Sequence, residues 1–548
     1  MSEILDQNNP TPISSHDQDN KIPVVEQEIQ VPNHELDGVL EILKNDDKLS
    51  QLMMSQSTNK KNAFISQIAN TAMEELMKLL KTNEPLWLKS LHDGKFILQR
   101  DSYQRMFLRI NCLKGPHARI ESSKDSRVVN MSLTQLVEMF INSDKWIDLF
   151  PTIVKKAQTV KVFESGSLEN RNGALQLMNA KMHVLSHLVP TRTFHFLRYC
   201  KQIEVGTWVI VDVSVDSSED KTTVSCAWRL PSGCLIQEIT QGLCRVSWME
   251  HVEVNDNIQT HQLFRDIIIN TYGARRWILT LKRMCERFEC ASTETIPSYE
   301  ARGVVKSLEG RKSIMQLAHR MVKIFCRTLD MEDNTNFPHL TRINNGEVTI
   351  SVRMNKTVSD VPKGMILSAA TSFWLPLSPQ SVFDYMIDNK ERAKWEPLWY
   401  GNPGHELQRI STGSNPRNFI SITRPVSCSE NNNTVTLRES YADALGSMMV
   451  YSAFDMEIMN FAMRGEDTSQ LLVLPSGFTI SWDGQPNALE GSSGQVGRSR
   501  GSVVTLMLQL LASSSSEMDK VDMEFVGYVT TLLSSTVEKI KSALNRTN

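Results

Sequence analysis

Long apolar runs are missing from this 548-residue chain. No window reaches about 18 consecutive uncharged apolar residues, so no segment reads as a membrane-spanning helix. Paired cysteines are missing as well: the nine present stand at 112, 200, 226, 234, 244, 285, 290, 326 and 428, with no C-x-x-C. That scatter argues against a structural zinc site and for reduced thiols in an intracellular compartment. Charge of one sign is lacking, the formal balance being −3, which removes any global electrostatic reason to hold nucleic acid. The N-terminus, MSEILDQNNP, is acidic and polar, unlike a secretory signal.

Catalytic signatures are absent in the same way. There is no nucleophile elbow, phosphate-cradling glycine loop or dinucleotide fingerprint. Gly491, Gly494 and Gly497 lie among serines with no Lys-Ser/Thr after them and read as a loop. His251, beside Glu250, has the chemistry of a general base, but no nucleophile or orienting partner can be named for it. The expectation is a chain that is not an enzyme, with no catalytic residues, no metal ligands and no cofactor.

What is present suggests several domains, since this length exceeds what one core supports. Residues 1–62 are rich in Asn, Asp, Gln and Ser and read as disordered, with a transient helix at Leu40, Leu43, Leu49 and Leu52. From Ala63 a three-four stripe of Ile65, Ile68, Ala72, Met73, Leu76, Leu79 and Leu80 predicts a helix ending near Asn83. Ser132 then caps a predicted helix over 133–142. A strand series over 182–253 follows. In Trp208–Val215 the valines 209, 211, 213 and 215 share one face, while Ile210, Asp212 and Ser214 share the other, as in a half-buried antiparallel strand. Two apolar faces carry a charge: Arg198 among Phe194, Phe196 and Cys200, and Glu250 among Val246, Trp248 and Val252. An isolated buried charge is costly, so either the two pair with one another or line a polar site, or both reach water at a twisted edge. The stretch Ile258–Cys290 has helical spacing at Leu263, Ile267, Ala274, Trp277, Ile278, Leu281, Met284 and Phe288, and is placed to close the sheet as a lid. Its basic cluster, RRWILTLKRMCER (275–287), reads as a solvated outer face.

Residues 293–310 read as a linker, and the outline then repeats. ILSAATSFWLPLSPQSVFDYMIDNKERAKWEPLW (366–399) parallels SRVVNMSLTQLVEMFINSDKWIDLF (126–150): an apolar strand, a Ser-started helix, a charged turn and a Trp. Alternating runs and a final amphipathic helix, Val521–Leu544, complete a second copy that reads as smaller and degenerate.

The stretches AMEELMKLLKTNEPLW (72–87), VPTRTFHFLRYCKQ (189–202), WVIVDVSVD (208–216), PSGCLIQ (231–237), VSWMEHVE (246–253), GARRWILTLKRMCER (273–287), LSAATSFWLP (367–376) and LLVLPSGFTI (471–480) resemble the plant class IV homeodomain–leucine-zipper family. The resemblance covers its START (StAR-related lipid transfer) domain and the START-adjacent domain. It departs from the family at Lys181, where an acidic residue is usual, and at His187, where proline is.

It implies an α+β chain: a helix-grip START domain over 63–292, with a curved antiparallel sheet and a long C-terminal lid helix, then a degenerate START-like domain over 311–548. It implies a lipid or sterol ligand in an internal tunnel. Arg198 and Glu250 would be the polar anchors, and Val209, Val211, Val213, Trp248, Trp277, Leu281 and Phe288 the apolar walls. It also implies a nuclear role in transcription, with the cytoplasm as the alternative, and related homeodomain–leucine-zipper proteins as partners. Residues 1–70 hold no Trp and no Arg, so no direct DNA binding is expected from this chain. The rival expectation is an interaction protein that dimerises with or titrates full-length relatives, without a ligand.

Overall fold

The computed structural model describes residues 46–89, 96–107, 118–215, 227–255, 261–264, 267, 271–331, 341–345, 347–355, 364–396, 404–425, 433–484, 501–513 and 523–545. The expected disordered stretch up to residue 45, and the glycine-rich loop at 491–497, lie outside them. Compactness divides the chain into Met1–Ala63 and Phe64–Asn548. Helix α1, Asp46–Lys81, crosses that boundary and starts well before the Ala63 expected from its apolar stripe. The lower hydrophobicity of residues 46–62 hid a segment that is helical all the same.

Within Phe64–Asn548, a two-stranded hairpin of β1 (Trp87–Lys89) and β2 (Phe96–Leu98) and the short helix α2 (Arg100–Met106) precede two larger antiparallel sheets, each set between helices. The first has the order β3-β10-β9-β7-β6-β5-β4, with β8 (Ala227–Arg229) paired to β10. Its strands are β3 Ala118–Val129, β4 Val154–Glu164, β5 Leu175–Met182, β6 Arg192–Glu204, β7 Thr207–Ser214, β9 Ser232–Thr240 and β10 Leu243–Asn255. Helices α3 (Leu133–Ile141), α4 (Ser143–Leu149) and α5 (Ala274–Ala291) share one core with one face of this sheet. The other face packs on Ala69, Ala72, Met73, Leu76 and Leu79 of α1.

Local sequence explains the helices. Ser132 caps α3 in a capping box with Gln135, and Asn142 caps α4 through the backbone N–H groups of Asp144 and Lys145. The lid helix is shorter than its sequence pattern suggested: α5 runs 18 residues from an N-cap at Gly273, about 27 Å, because glycine ends the helical run on that side. No helix among the described residues is long and apolar enough to cross a membrane.

The second sheet has nine strands, in the order β11-β12-β13-β19-β18-β17-β16-β15-β14, so the second copy is not the smaller one. Its strands are β11 Thr341–Asn345, β12 Val348–Asn355, β13 Gly364–Leu375, β14 Gly404–Ser411, β15 Phe419–Pro425, β16 Thr434–Asp443, β17 Gly446–Asp455, β18 Ser476–Trp482 and β19 Ser502–Ser513. One face carries α7 (Pro379–Ile387), α8 (Asn389–Trp395) and α10 (Met523–Asn545); the other carries α6 (Leu308–Thr328) and α9 (Met456–Met463). The copies share one frame, from β3 through β10 and α5 against β13 through β19 and α10, while β8 in the first and β11, β12 and α9 in the second have no counterpart. Ser378 caps a nine-residue α7 as Ser132 caps a nine-residue α3, and Asp388 caps a seven-residue α8 as Asn142 caps a seven-residue α4.

Candidate functional site

The centre of the first grip is a chain of buried charges across four strands. Arg198 on β6 lies opposite Asp212 on β7 and makes a bidentate pair with it, Nε to Oδ1 and Nη2 to Oδ2, both 2.8 Å. Its third nitrogen donates to the Phe140 carbonyl at 2.7 Å, in the last turn of α3, where a cation also complements the helix dipole. Asp212 Oδ2 takes a second arginine, Arg229 on β8, at 2.8 Å, and Arg229 donates at 2.5 Å to Glu250 on β10. Glu250 also accepts from the Trp248 indole at 3.0 Å. Two guanidinium and two carboxylate groups close a neutral network, and this is what makes their burial tolerable. Burial pushes the Glu250 carboxyl above its ordinary value despite Arg229, whereas on Arg229 the attraction of Glu250 and Asp212 outweighs burial and raises it.

Around this network the interior is aromatic. The Trp277 ring of the lid helix stacks between Trp248 at 5.1 Å and Trp146 of α4 at 5.9 Å, with interplanar angles of 9° and 7°. The Arg198 guanidinium lies 4.0 Å from the centroid of Trp146, and Arg229 lies 5.4 Å from Trp277. Two donors here have no acceptor among the described residues: Arg229 Nε and Trp146 Nε1. A buried N–H without a partner costs roughly 1–3 kcal/mol, so each of the two is a place where an acceptor oxygen would gain.

The nine residues read as tunnel-lining from sequence separate into groups. Arg198, Glu250, Trp248, Trp277 and Leu281 meet in the grip interior, all at 3% exposure or less. Phe288 reaches only its edge, where its ring also meets His319 of α6 at 6.2 Å. Val209, Val211 and Val213 do not belong: they face the opposite core, against α1 and Tyr103. Every residue of β7 is buried, so alternation could not tell the inner face from the outer one. Of the alternatives left open for Arg198 and Glu250, neither direct pairing nor exposure at an edge holds: both are buried, and Asp212 and Arg229 stand between them.

Sequence reasoning missed Arg229 altogether. The signal was there, since Ala227 and Arg229 alternate around Trp228 on a buried face, but three residues are too short for a periodicity argument. Also missed were His183 and His187, which have His-x-x-x-His spacing but sit between β5 and β6 rather than on a helix. Among the described residues no group of three or more His, Cys, Asp or Glu is placed to hold a metal ion. An open cleft of about 430 Å³ lies beside the grip, lined by Leu133, Val137 and Glu138 of α3, by Arg171 and by Trp208. Val137 and Trp208 belong to the interior core, so the cleft ends against it.

The START domain family model matches residues 67–287, and the model "PDF2-like, C-terminal domain" matches residues 307–546. Homeobox-leucine zipper protein HDG11 of Arabidopsis thaliana is 42% identical over 486 residues, covering 87% of this chain and 66% of that protein. HDG12 of the same plant is 41% identical over 490 residues, covering 88% and 69%, and ROC8 of Oryza sativa subsp. japonica is 37% identical over 508 residues, covering 88% and 70%. The chain thus spans about two thirds of the length of these relatives. Among solved structures, human StAR-related lipid transfer protein 5 is similar at 11% identity and a TM-score of 0.27, over 41% of this chain and 99% of that one.

Proposed function

As the chain belongs to the class IV homeodomain–leucine-zipper family and carries its START domain, we propose that the first grip binds one hydrophobic molecule bearing a hydrogen-bond acceptor, of the lipid or sterol class. The observation that carries this reading is the pair of unsatisfied donors, Arg229 Nε and Trp146 Nε1, inside an otherwise apolar and aromatic interior. Arg198, Asp212 and Glu250 would hold Arg229 in place for the ligand rather than touch it. The apolar body would lie against Trp248, Trp277 and Leu281, after the stacked indoles part to admit it. The cleft ending at Val137 and Trp208 offers the approach. This is a binding module and not an enzyme. Its output would be in the nucleus, on transcription, through contacts with related homeodomain–leucine-zipper proteins and not through DNA contacts of its own.

A second reading draws on one specific observation: the interior walls are at most 3% exposed and fill the grip themselves. In that reading the chain is a scaffold for protein contacts, with no ligand. Native mass spectrometry of the full chain, after incubation with phosphatidylcholine–sterol vesicles, separates the two. A stoichiometric adduct that Arg229→Met weakens supports the ligand reading. No adduct with any vesicle, from a folded protein, would leave the scaffold reading.

A further inference from the structure

We infer that the second domain is a clamp that holds the first grip shut, through the outward face of the lid helix and the loop between β5 and β6. From sequence that helix face was expected to meet solvent; the structure buries Arg287 and partly buries Arg276, Arg283 and Glu286, leaving Lys282 exposed. Arg287 of α5 makes a bidentate pair with Glu439 of β16, at 2.6 and 3.0 Å, and donates to the Met315 carbonyl of α6 at 2.8 Å. Both side chains of that pair are less than a tenth exposed. One turn earlier, Arg283 lies 3.5 Å from the Tyr441 ring centroid and 3.7 Å from Asp443. Between these, Glu286 accepts from the backbone and hydroxyl of Ser414, at 3.0 and 3.1 Å. Cys290 and Ala291, at the end of the helix, pack into the second domain's core.

The loop over 183–191 is held the same way. Leu185 packs into the second domain's core and its carbonyl accepts from Thr479. Val189 packs against Val503 of β19. Arg276 of the lid then ties helix to loop, donating to the carbonyls of Thr152 and His183 at 2.6 and 2.7 Å. Two further pairs fix the body of the first grip to the second domain: Lys323–Asp148 at 2.6 Å, and Lys155 with Asp330.

The interior is closed by sheet strands, which cannot leave without breaking ladders, and by α3, α4, α5 and this loop, which can. Of these four covering elements, the second domain therefore grips α5 and the loop along their length and ties α4 through Asp148. Breaking a buried ion pair by removing one partner costs far more than a surface pair, so the lid is released only when the domains part. The clamp stands on these contacts alone. Its consequence, that ligand uptake is slow until the clamp opens, rests on the ligand reading proposed above.

The test is hydrogen–deuterium exchange of the lipid-free full chain carrying Glu439→Lys, which sets a like charge against Arg287. The charge-swapped double variant, Arg287→Glu with Glu439→Lys, is the control for folding. Exchange at 183–191 and 274–291 should rise on the order of tenfold, as for a typical coupling between sites, with 192–214 unchanged, and the swap should restore it. Unchanged exchange in both covering segments, or a uniform rise through 192–214 that the swap fails to restore, would overturn the clamp. Native mass spectrometry of the same variants reads ligand binding separately. Loosened segments without any lipid adduct would keep the clamp and remove the ligand reading; adducts formed equally fast with and without Glu439→Lys would overturn the gating.

Discussion

The two grips share a frame and differ in what they bury. The frame is marked by a Pro-Ser-Gly triplet at the start of β9 (231–233) and again at the start of β18 (475–477). In the first copy the Ser232 hydroxyl accepts from the His251 backbone on β10; in the second, Ser476 accepts from Gln509 on β19. Glycine is required in both, since a Cβ would meet the Ile210 carbonyl oxygen at 2.0 Å in one and the Met449 oxygen at 2.4 Å in the other. Aligned this way, Arg198 corresponds to Arg438, Asp212 to Tyr451 and Glu250 to Leu508. The second grip keeps the arginine and loses both acids. Arg438 is left with Ser421, Asn389 and the part-exposed Glu406, and burial, with the like charge of Arg392, pulls its guanidinium down to about 9. At these aligned positions, then, the first copy carries acids that brace its arginine, whereas in the second a separate buried pair, Arg392–Glu396, stands at Tyr451 instead.

That contrast sets an order of effects. Asp212→Ala leaves Arg198 and Arg229 facing one carboxylate, and should cost about 3–5 kcal/mol in urea denaturation; a loss under about 1 kcal/mol would show that the network braces nothing. In the second grip, Tyr451 donates to Glu396 from the position of Asp212. Tyr451→Phe should cost about 1–3 kcal/mol, the loss of one buried partner, and a cost equal to that of Asp212→Ala would erase the distinction. Arg438→Met removes a buried charge whose one acid, Glu406, is part-exposed and shared with Arg409, and should change stability by less than about 1 kcal/mol, or raise it; a loss like that of Asp212→Ala would mean the two arginines are equivalent after all.

The smallest effect concerns the contact between the copies. Burial pushes the Asp148 carboxyl up, but Lys323, donating at 2.6 Å, and the His319 ring 3.8 Å away outweigh it and bring it to about 2. The folded value lies below the ordinary carboxylate range, so this contribution is complete above about pH 4 and is lost as pH falls toward 2. Asp148 is more than a third exposed, so screening holds the effect to under about 1 kcal/mol. Acid denaturation of Asp148→Asn should be shallower than that of the parent between those limits; identical curves would place the acid sensitivity elsewhere.

The duplicated outline was legible because Ser132 and Ser378 each start a helix with its own apolar stripe, and such local signals survive in sequence. Arg198 and Glu250 were legible as charges on apolar faces. Three things were not. Strand β7 is buried on both sides, with Asp212 and Ser214 on the inner one, so its valines gave no sign that they back onto α1. Arg229 lies on a three-residue strand whose partner in space, Asp212, is 17 positions away. The outer face of α5 looked like any solvated basic face, because Glu439, Tyr441 and Asp443 come from the other copy and only tertiary packing brings them near.

The most direct measurement of the difference between the grips is photocrosslinking of the full chain with a diazirine-bearing lipid, followed by peptide mapping. Adducts confined to 133–149, 192–229 and 244–288 are predicted, with none in β15–β19 or α10. Crosslinks concentrated in the second grip, or spread over the surface with none in these three segments, would contradict the assignment of the ligand site to the first grip.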